Sequence, residues 1–388
     1  MLNLRYGATA FVLLAACNQG GVANAGNVSD NSAQAAAPMG ERPFTVANVA
    51  DLDAPWAMTF LADGRMLITE KSGQMLLASA DGQQRIQVAG IPAVDSAGQG
   101  GLMDVALHPQ FAQNNLVYFS YSASGQGGKG VVLARGRLVA ADGQARLEQV
   151  STLYRATPYV EGNGHYSGQI AFSPDGQHLF FAMGDRQKFD PAQDKGGTLG
   201  KIARLTLDGQ PAPGNPLATQ GFRPEVWSYG HRNILGMAFD ASGSFWQQEM
   251  GPKAGDELNV VLPGRNYGYP MVSDGDHYDG RDIPDHSTRP DLEAPKVSWP
   301  GTAISPAGLM IYSGKLWPQW RGDAFIGALS GQALVRVDVN GTNATKGDQW
   351  DMETRIRDVA EAPDGSIWLL EDGGRGAGGK LMKLSPTG

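Results

Sequence analysis

Cysteine is almost absent from the 388-residue chain, which contains Cys17 and no other. This excludes an internal disulfide and a thiolate metal site from everything that follows that residue. Basic residues are also scarce, because 31 Lys and Arg stand against 39 Asp and Glu and give a formal net charge of −8. No basic run is present that would follow a phosphate backbone, so we expect no nucleic-acid partner.

The apolar segment near the start, residues 8–16, is too short to cross a membrane as a helix. It follows Arg5 and leads into LAAC at residues 14–17, the residue order of a bacterial lipobox. We therefore expect cleavage before Cys17 and lipid on that cysteine, as the only attachment of the chain to a membrane. An ordinary signal peptide with a chance cysteine is the alternative interpretation.

The same region predicts the domain organisation. Residues 1–17 form the expected lipoprotein signal segment, and residues 18–43, rich in Ala, Asn, Gly and Ser, form a flexible tether. Residues 44–388 are the expected folded domain. Asn18 is not the aspartate that commonly retains lipoproteins at the inner membrane, so we expect a periplasmic location, anchored at the outer membrane.

Convincing amphipathic helical stretches are missing as well, whereas 53 glycines and 23 prolines favour an all-β fold with many turns. A tight turn followed by a short β-prone run recurs six times. The copies begin at residues 60, 107, 172, 239, 320 and 361. Their spacing averages about sixty residues, which leaves room for four-stranded blades with long loops. The sequence thus predicts a six-bladed β-propeller over residues 44–388, with a sandwich or a β-helix as the alternative.

Four of the predicted runs finish on or near an acidic residue. These residues are Glu70, Asp185, Glu249 and Glu371. In a propeller the innermost strands converge on a central channel, so we expect such polar strand ends to meet at one mouth of it. We therefore expect the functional site at that mouth.

A candidate base is His165, which stands among glycines in the segment NGHYSG, where its ring can reach open space. Asp185 would accept a hydrogen bond from one ring nitrogen and leave the other nitrogen free as a base. A surface histidine in a polar loop is the alternative. Gln99 lies in the glycine loop GQGGL, which from sequence alone is best interpreted as a plain turn.

Arg355 and Arg357 alternate along a predicted strand, so both guanidinium groups are expected to face the same side. Such a pair suits bidentate recognition of carboxylates. Salt bridges to neighbours such as Asp351 or Asp358 are an equally open interpretation.

Residues 249–270 concentrate glycine, proline and carboxylates. Turns of this composition expose backbone carbonyl oxygens, and ligand sets made of oxygen alone favour calcium. The spacing is not that of an EF-hand loop. The aspartates at positions 274, 276, 279 and 282 are interpreted as a solvated acidic loop.

Together these segments resemble the soluble PQQ-dependent sugar dehydrogenases, in particular the aldose sugar dehydrogenase branch. The resemblance runs from about residue 44 to residue 383 and rests on five motifs in the family's order: GQGGLMDVALHP, MGDR, WSYGHRN, GDELN and RIRDV. It implies a six-bladed propeller with the planar quinone across the channel mouth. It also implies PQQ- and calcium-dependent oxidation of aldoses at C1 to lactones, with electrons passed to an external acceptor.

The resemblance further implies roles for individual residues. His165 would take the proton of the sugar C1 hydroxyl, Asp185 would orient its ring, and the C1 hydride would pass to the quinone. The other implied catalytic and cofactor residues are Arg232, Gln99, Asn233, Arg355, Arg357 and Ser330, where the family's glucose dehydrogenases carry a lysine. The implied calcium residues are Gly251 and Pro252, through backbone oxygens, and Glu257 and Tyr267 near a second ion.

Two other functions remain open at this level. Six-bladed propellers also support calcium-dependent lactonases, which would need Glu70, Glu249 and Glu371 to converge on an axial metal. The third class is a non-catalytic propeller that binds glycans or a protein partner.

Overall fold

The computed structural model describes residues 40–374 and 377–387, and the chain in these ranges is built almost entirely from strands. The strands in chain order are β1 (Phe44–Asp51), β2 (Pro55–Phe60), β3 (Met66–Glu70), β4 (Gln74–Ala78), β5 (Arg85–Ala89), β6 (Leu102–Leu107), β7 (Leu116–Gly125), β8 (Gly128–Ala141), β9 (Gln144–Arg155), β10 (Ser167–Phe172), β11 (His178–Met183), β12 (Lys201–Thr206), β13 (Val226–Tyr229), β14 (Ile234–Phe239), β15 (Phe245–Glu249), β16 (Asp256–Val260), β17 (Val297–Trp299), β18 (Pro306–Ile311), β19 (Ala324–Ala328), β20 (Ala333–Asn340), β21 (Asn343–Asp351), β22 (Ile356–Glu361), β23 (Ile367–Glu371) and β24 (Lys380–Pro386). One α-helix, α1 (Phe111–Asn114), and four 3-10 turns (Asp190–Ala192, Ala218–Gln220, His286–Thr288 and Pro318–Trp320) complete the described elements. The all-β prediction is confirmed.

The strands form antiparallel meanders of four. Strands β10–β13, β14–β17 and β18–β21 each make one sheet, and β2–β5 and β6–β9 join into an eight-stranded sheet through a short parallel pairing of β5 with β9. The last sheet has the order β1-β24-β23-β22, so the first strand of the domain completes the final meander. This pairing ties the two ends of the domain together.

The first strands of the meanders pack side by side. Strand β2 contacts β6, and the series continues through β10, β14, β18 and β22 until β22 contacts β2 again. Buried carboxylates reinforce two of these junctions. Asp358 on β22 accepts the Met58 N–H of β2 at 2.8 Å, and Asp104 on β6 accepts the Ile170 N–H of β10 at 2.7 Å.

The six repeated sequence segments are the hairpins between the first and second strands of the six meanders. Their turn chemistry explains why they recur. In the turn after β2, the Asp63 carboxylate accepts the Arg65 N–H at 3.0 Å, and Gly64 adopts φ 88°, a left-handed conformation that a side chain would strain. The copy at residue 107 differs from expectation because α1 lies between its two strands.

Apolar cores lie between neighbouring sheets. Between the β18–β21 sheet and the closing sheet, the ring of Phe44 on β1 meets Trp350 on β21 edge to face, with centroids 5.2 Å apart. Full burial of such a side chain contributes about 1.5–3 kcal/mol. Hydrophobic packing therefore holds β1 in the closing sheet together with its backbone hydrogen bonds. No helix of the described ranges is long and apolar enough to span a membrane.

Candidate functional site

Acidic residues at the ends of second strands fasten the segments that enter their own meanders. Glu70 accepts the Asp53 N–H at 2.8 Å, and Glu371 accepts the Thr354 hydroxyl at 2.6 Å. Glu249 does the same with the backbone N–H of Arg232, at 2.5 Å. The three glutamates are thus used separately. No group of three or more His, Cys, Asp or Glu side chains arranged to hold a metal occurs in the described part of the chain.

In the β10–β13 meander the partner of the acidic residue is a histidine. His165 lies two residues before β10, and its Nδ1 is 2.6 Å from Oδ1 of Asp185, which lies two residues beyond β11. Asp185 is fully buried and also accepts the N–H groups of Gln187 at 3.1 Å and Phe189 at 3.3 Å. These bonds hold the carboxylate in one orientation, so the structure brings together the pair that the sequence predicted.

The His165 ring is held with one nitrogen open. Its backbone has φ 48° and its N–H donates to Oε1 of Gln99 at 2.6 Å. A carboxylate at Nδ1 favours the tautomer with hydrogen there, and Nε2 forms no hydrogen bond with the described residues. Burial lowers the pKa of His165 below its ordinary value, although the bond to Asp185 opposes that shift. The ring is therefore suited to be a neutral base near pH 7.

A cavity of about 490 Å³ lies beside this pair. Its lining includes four of the predicted cofactor residues, together with residues that the sequence did not indicate: Gln99, Asn233, Arg355 and Arg357, and Trp56, Lys71, Tyr166, Tyr278, Leu329 and Asp372. The amide oxygen of Asn233 accepts the Ser167 N–H at 3.3 Å, which fixes the side chain at the wall. The cavity is thus rich in polar and cationic groups.

Arg355 and Arg357 face the same side, as predicted, but their common partner is Asp372. Its Oδ2 is 2.9 Å from Nε of Arg355 and 3.1 Å from Nη2 of Arg357. Neither Asp351 nor Asp358 forms these bridges. Arg355 precedes β22 instead of lying on it, and a bulge follows at Ile356, so simple alternation does not explain the shared direction. Asp372 directly follows the strand-end residue Glu371, which is the signal that would have found it.

The Arg357 guanidinium is buried over the Trp56 ring, 4.6 Å from its centroid, and its Nε has no hydrogen-bond partner. Burial lowers the pKa of Arg357 below its ordinary value. One carboxylate beside two guanidinium groups leaves positive charge and donors unsatisfied. An anionic ligand in the cavity would satisfy them.

Arg232 lies between this cavity and a smaller one. It donates from Nη1 to the Met250 carbonyl at 3.0 Å, while its buried Nε is unpaired. Its positive charge is one cause of the lowered pKa of His165, after burial. Arg232 therefore acts on the histidine through its electrostatic field.

The four predicted calcium residues line the small cavity together. The carbonyl oxygens of Gly251 and Pro252 accept no hydrogen bond from the described residues. The side chains of the other two are engaged. Glu257 bonds His286 at 3.0 Å and Asn259 at 3.1 Å, and the Tyr267 hydroxyl donates to the Val260 carbonyl at 2.6 Å. The backbone oxygens suit a calcium ion, whereas the second calcium remains a prediction without free side-chain donors.

Ser330 lies beyond the end of β19 instead of on that strand, as the sequence had suggested. Its hydroxyl bonds Ser305 at 2.7 Å and the Ala303 carbonyl at 3.0 Å, so it fastens the segment entering its own meander as the glutamates do. Ser330 is exposed and outside the cavity lining, while Ser305 and Leu329 belong to it. Contact of Ser330 with a cofactor stays a prediction.

Arg186 is a site residue whose role the sequence did not indicate, although it belongs to the motif MGDR. Its buried guanidinium stacks 3.6 Å from the Tyr166 ring centroid and donates to the carbonyls of Gly162, at 2.7 Å, and Gly164. These contacts clamp the loop that carries His165.

Comparison with known families decides where the chain belongs. Residues 52–383 match the sequence model of the glucose/sorbosone dehydrogenase family. The chain belongs to this family. The resemblance inferred from the five motifs is thereby confirmed, and the chain is an oxidoreductase of the sugar dehydrogenase type.

Two curated relatives span most of the chain. The aldose sugar dehydrogenase YliI of Escherichia coli strain K12 is 37% identical over 344 residues, covering 86% of this chain and 91% of that protein. The quinoprotein glucose dehydrogenase B of Acinetobacter calcoaceticus is 26% identical over 326 residues, covering 77% of this chain and 66% of that protein.

Solved structures agree in fold. The soluble aldose sugar dehydrogenase from Escherichia coli, in its apo form, superimposes with a TM-score of 0.83 at 36% identity and covers 89% of this chain and 100% of that one. The PQQ-bound aldose sugar dehydrogenase from Streptomyces coelicolor gives a TM-score of 0.73 at 27% identity, with 88% and 98% coverage. The propeller architecture of these neighbours matches the all-β fold of the chain.

Proposed function

We propose that the chain oxidises the C1 hydroxyl of aldoses to a lactone, with PQQ and calcium bound, and passes the electrons to an external acceptor. The six meanders are the six blades of its propeller, and the site lies at one mouth of the central channel. The observation that carries the proposal is the His165–Asp185 pair, whose open nitrogen lies beside an arginine-lined cavity. The PQQ-bound neighbour supports the choice of cofactor.

The residues of the cavity fit PQQ, which carries three carboxylates. Arg355 and Arg357 would hold these carboxylates, since Asp372 neutralises the two guanidinium groups only in part and the buried Nε of Arg357 lacks a partner. Gln99 and Asn233 would position the quinone from the wall. When bound, PQQ supplies the two-electron acceptor that no side chain of the chain provides.

His165 performs the proton transfer. Its Nε2 accepts the proton of the sugar C1 hydroxyl, while Asp185 holds hydrogen on Nδ1 and stabilises the resulting imidazolium. Burial of the ring excludes water from the acceptor nitrogen. The Arg232 charge keeps the free ring neutral, so the base is available before substrate arrives.

Calcium would bind at the carbonyl oxygens of Gly251 and Pro252, beside Arg232. Hard cations prefer such oxygen donors. As a Lewis acid there, the ion would make the bound quinone more electron-poor. The chain itself contributes only the placement of the two carbonyls.

Reconstitution tests the proposal. Purified apo-protein receives PQQ, Ca²⁺, both or neither, and reduction of an artificial electron-accepting dye is followed with glucose. We expect dye reduction only with both additions, with lactone appearing in proportion to reduced dye. Hydrolysis of lactones without PQQ would support the lactonase alternative instead, although the described residues offer no carboxylate cluster for its metal. Binding of sugar without turnover under any condition would support a non-catalytic propeller.

The location of the enzyme belongs to the same proposal. Cys17 and most of the expected tether lie outside the described residues. We infer from the lipobox that acyl chains on Cys17 anchor the enzyme at the periplasmic side of the outer membrane. In Cys17→Ser, the protein should leave the membrane fraction, and a mature wild-type mass without acyl chains would contradict the anchor.

A further inference from the structure

Exposed hydrophobic side chains concentrate beside the cavity. Among the described residues, four large hydrophobic side chains are exposed: Phe189, Met271, Tyr278 and Leu316. Phe189 and Tyr278 are joined by a chain of aromatic and cationic contacts. The Phe189 ring lies 5.7 Å from His277, the neighbour of Tyr278, and 6.3 Å from Tyr269. We call Phe189, His277 and Tyr278 the aromatic rim.

The rim is continuous with the catalytic site. Tyr278 lines the main cavity although its side chain is 74% exposed, so it lies at the mouth. Its ring is 6.0 Å from the Arg232 guanidinium. At the other side, the Asp185 carboxylate that bonds His165 also accepts the Phe189 N–H at 3.3 Å. The catalytic carboxylate thus fixes the rim in place.

The conformation of Phe189 is costly. The residue has φ 64° and ψ −90°, outside the regions that residues with a side chain favour. The same backbone strain would place a small or polar residue at this position without exposing a phenyl ring to water. Strain and exposure together at one residue next to a catalytic carboxylate point to a binding role for the ring.

The loop that carries the other two rim residues is ordered by its own hydrogen bonds. His277 donates its N–H to the Arg281 carbonyl at 3.0 Å, and Ser273 donates to the Pro284 carbonyl at 3.1 Å. Five aspartates in residues 273–285 make the loop acidic, with Arg281 and His277 as its basic residues. This charge disfavours anionic ligands and suits neutral ligands with many hydroxyl donors.

We propose that the aromatic rim is a subsite for the second sugar ring of an aldose disaccharide whose reducing ring occupies the cavity. The inference rests on the proposed function. The apolar C–H face of a pyranose stacks on the exposed rings, and its hydroxyls donate to the neighbouring carboxylates. Rings about 6 Å apart span one or two sugar units. That is far below the roughly 1,000 Å² of a stable protein interface, which favours a sugar over a protein electron acceptor.

The test uses the enzyme loaded with PQQ and Ca²⁺ and compares glucose with cellobiose and maltose. In Phe189→Ala and Tyr278→Ala, the ratio of kcat/KM for either disaccharide to that for glucose should fall about tenfold, the loss of roughly one good aromatic contact. Phe189→Tyr and Tyr278→Phe keep a ring and should retain the wild-type ratio. Leu316→Ala is the matched control. It removes an exposed apolar side chain beyond the far end of β18, whose first residue adjoins Ser305 of the cavity.

Two outcomes overturn the subsite. One is an unchanged ratio in both alanine variants, and the other is a changed KM for the electron acceptor that is the same with every sugar. A saturation-transfer NMR measurement on the apo-chain with cellobiose needs no turnover. Transfer to the non-reducing ring should be present in wild type and lost in Phe189→Ala. If sugar oxidation fails altogether but this signal behaves as stated, the proposed function falls and the subsite stands.

Discussion

Two buried histidine–carboxylate pairs in this molecule look alike in sequence and differ in what they can do. His165 pairs with Asp185 at 2.6 Å, and His231 pairs with Glu249 at 3.1 Å. The second nitrogen of His231 bonds the Ser228 hydroxyl at 2.9 Å, so both nitrogens of that ring are used. The second nitrogen of His165 forms no bond with the described residues.

The surroundings of the two rings reinforce the difference. His231 is fully buried and stacks on Tyr267 with centroids 4.5 Å apart, inside the protein. His165 stands beside the main cavity, where a substrate can reach it. The comparison shows that a histidine–carboxylate pair is structural when both ring nitrogens are satisfied and catalytic when one is left open to a ligand.

Removing each ring tests this difference with the largest expected effect. His165→Ala should lower kcat by roughly 10²–10⁴, the usual worth of general-base help, while PQQ still binds. His231→Ala should instead lower the free energy of unfolding by about 1–3 kcal/mol, because it leaves buried polar groups unpaired. Steady-state kinetics and thermal unfolding on both variants check the prediction. Near-normal turnover of His165→Ala would show that this histidine is not the base.

Neutralising each carboxylate should separate the pairs less strongly. Asp185→Asn keeps the ring but weakens its orientation, and we expect kcat to fall about 10- to 100-fold. Glu249→Gln can still accept the Arg232 N–H, so kcat should fall less than about threefold. A larger loss in Glu249→Gln than in Asp185→Asn would reverse the assignment of roles.

The pH profile gives a third contrast. His165 must be neutral to act as a base, and its pKa lies below the ordinary value, so the acid limb of kcat/KM should have its midpoint below pH 6.5. Asp185 raises this pKa and Arg232 lowers it. The limb should therefore move to lower pH in Asp185→Asn and to higher pH in Arg232→Gln. Movement of both limbs in one direction would contradict the proposed electrostatics.

A carboxylate without a histidine sharpens the comparison through stability. Asp358 bonds only backbone N–H groups, and burial raises its pKa to about 8. Because the folded pKa is raised, its contribution to stability is complete below about pH 4 and is lost as pH rises through about 8. Melting temperatures from pH 4 to 9 should fall more steeply in wild type than in Asp358→Asn. Parallel curves would mean that Asp358 is ionised throughout.

The smallest expected effect concerns Ser330. A lysine there would offer a charge-assisted hydrogen bond to the quinone, so PQQ should bind Ser330→Lys about 5- to 30-fold more tightly, or by ~1–2 kcal/mol. Calorimetric titration of apo-protein with PQQ at fixed Ca²⁺ measures this difference. Equal or weaker binding would show that position 330 does not face the cofactor, in line with its bonds to Ser305 and Ala303.

Much of the fold could be predicted from the sequence, because its signals are local. Each repeated turn depends on residues within a few positions of one another, such as the Asp63 carboxylate bound to the Arg65 N–H. All six turns were therefore recognisable as hairpins without knowledge of their neighbours. The motif around His165 was also readable, since the histidine and Asp185 flank two adjacent strands.

What the sequence by itself determined was thus the set of hairpins, the family and the candidate base. Only the tertiary structure decided that Asp372 balances the two arginines, that Glu70, Glu249 and Glu371 act as separate anchors, and that Phe189 and Tyr278 share one rim. These relations join residues from different loops and meanders. Packing of the meanders sets such distances, and no spacing along the chain records them.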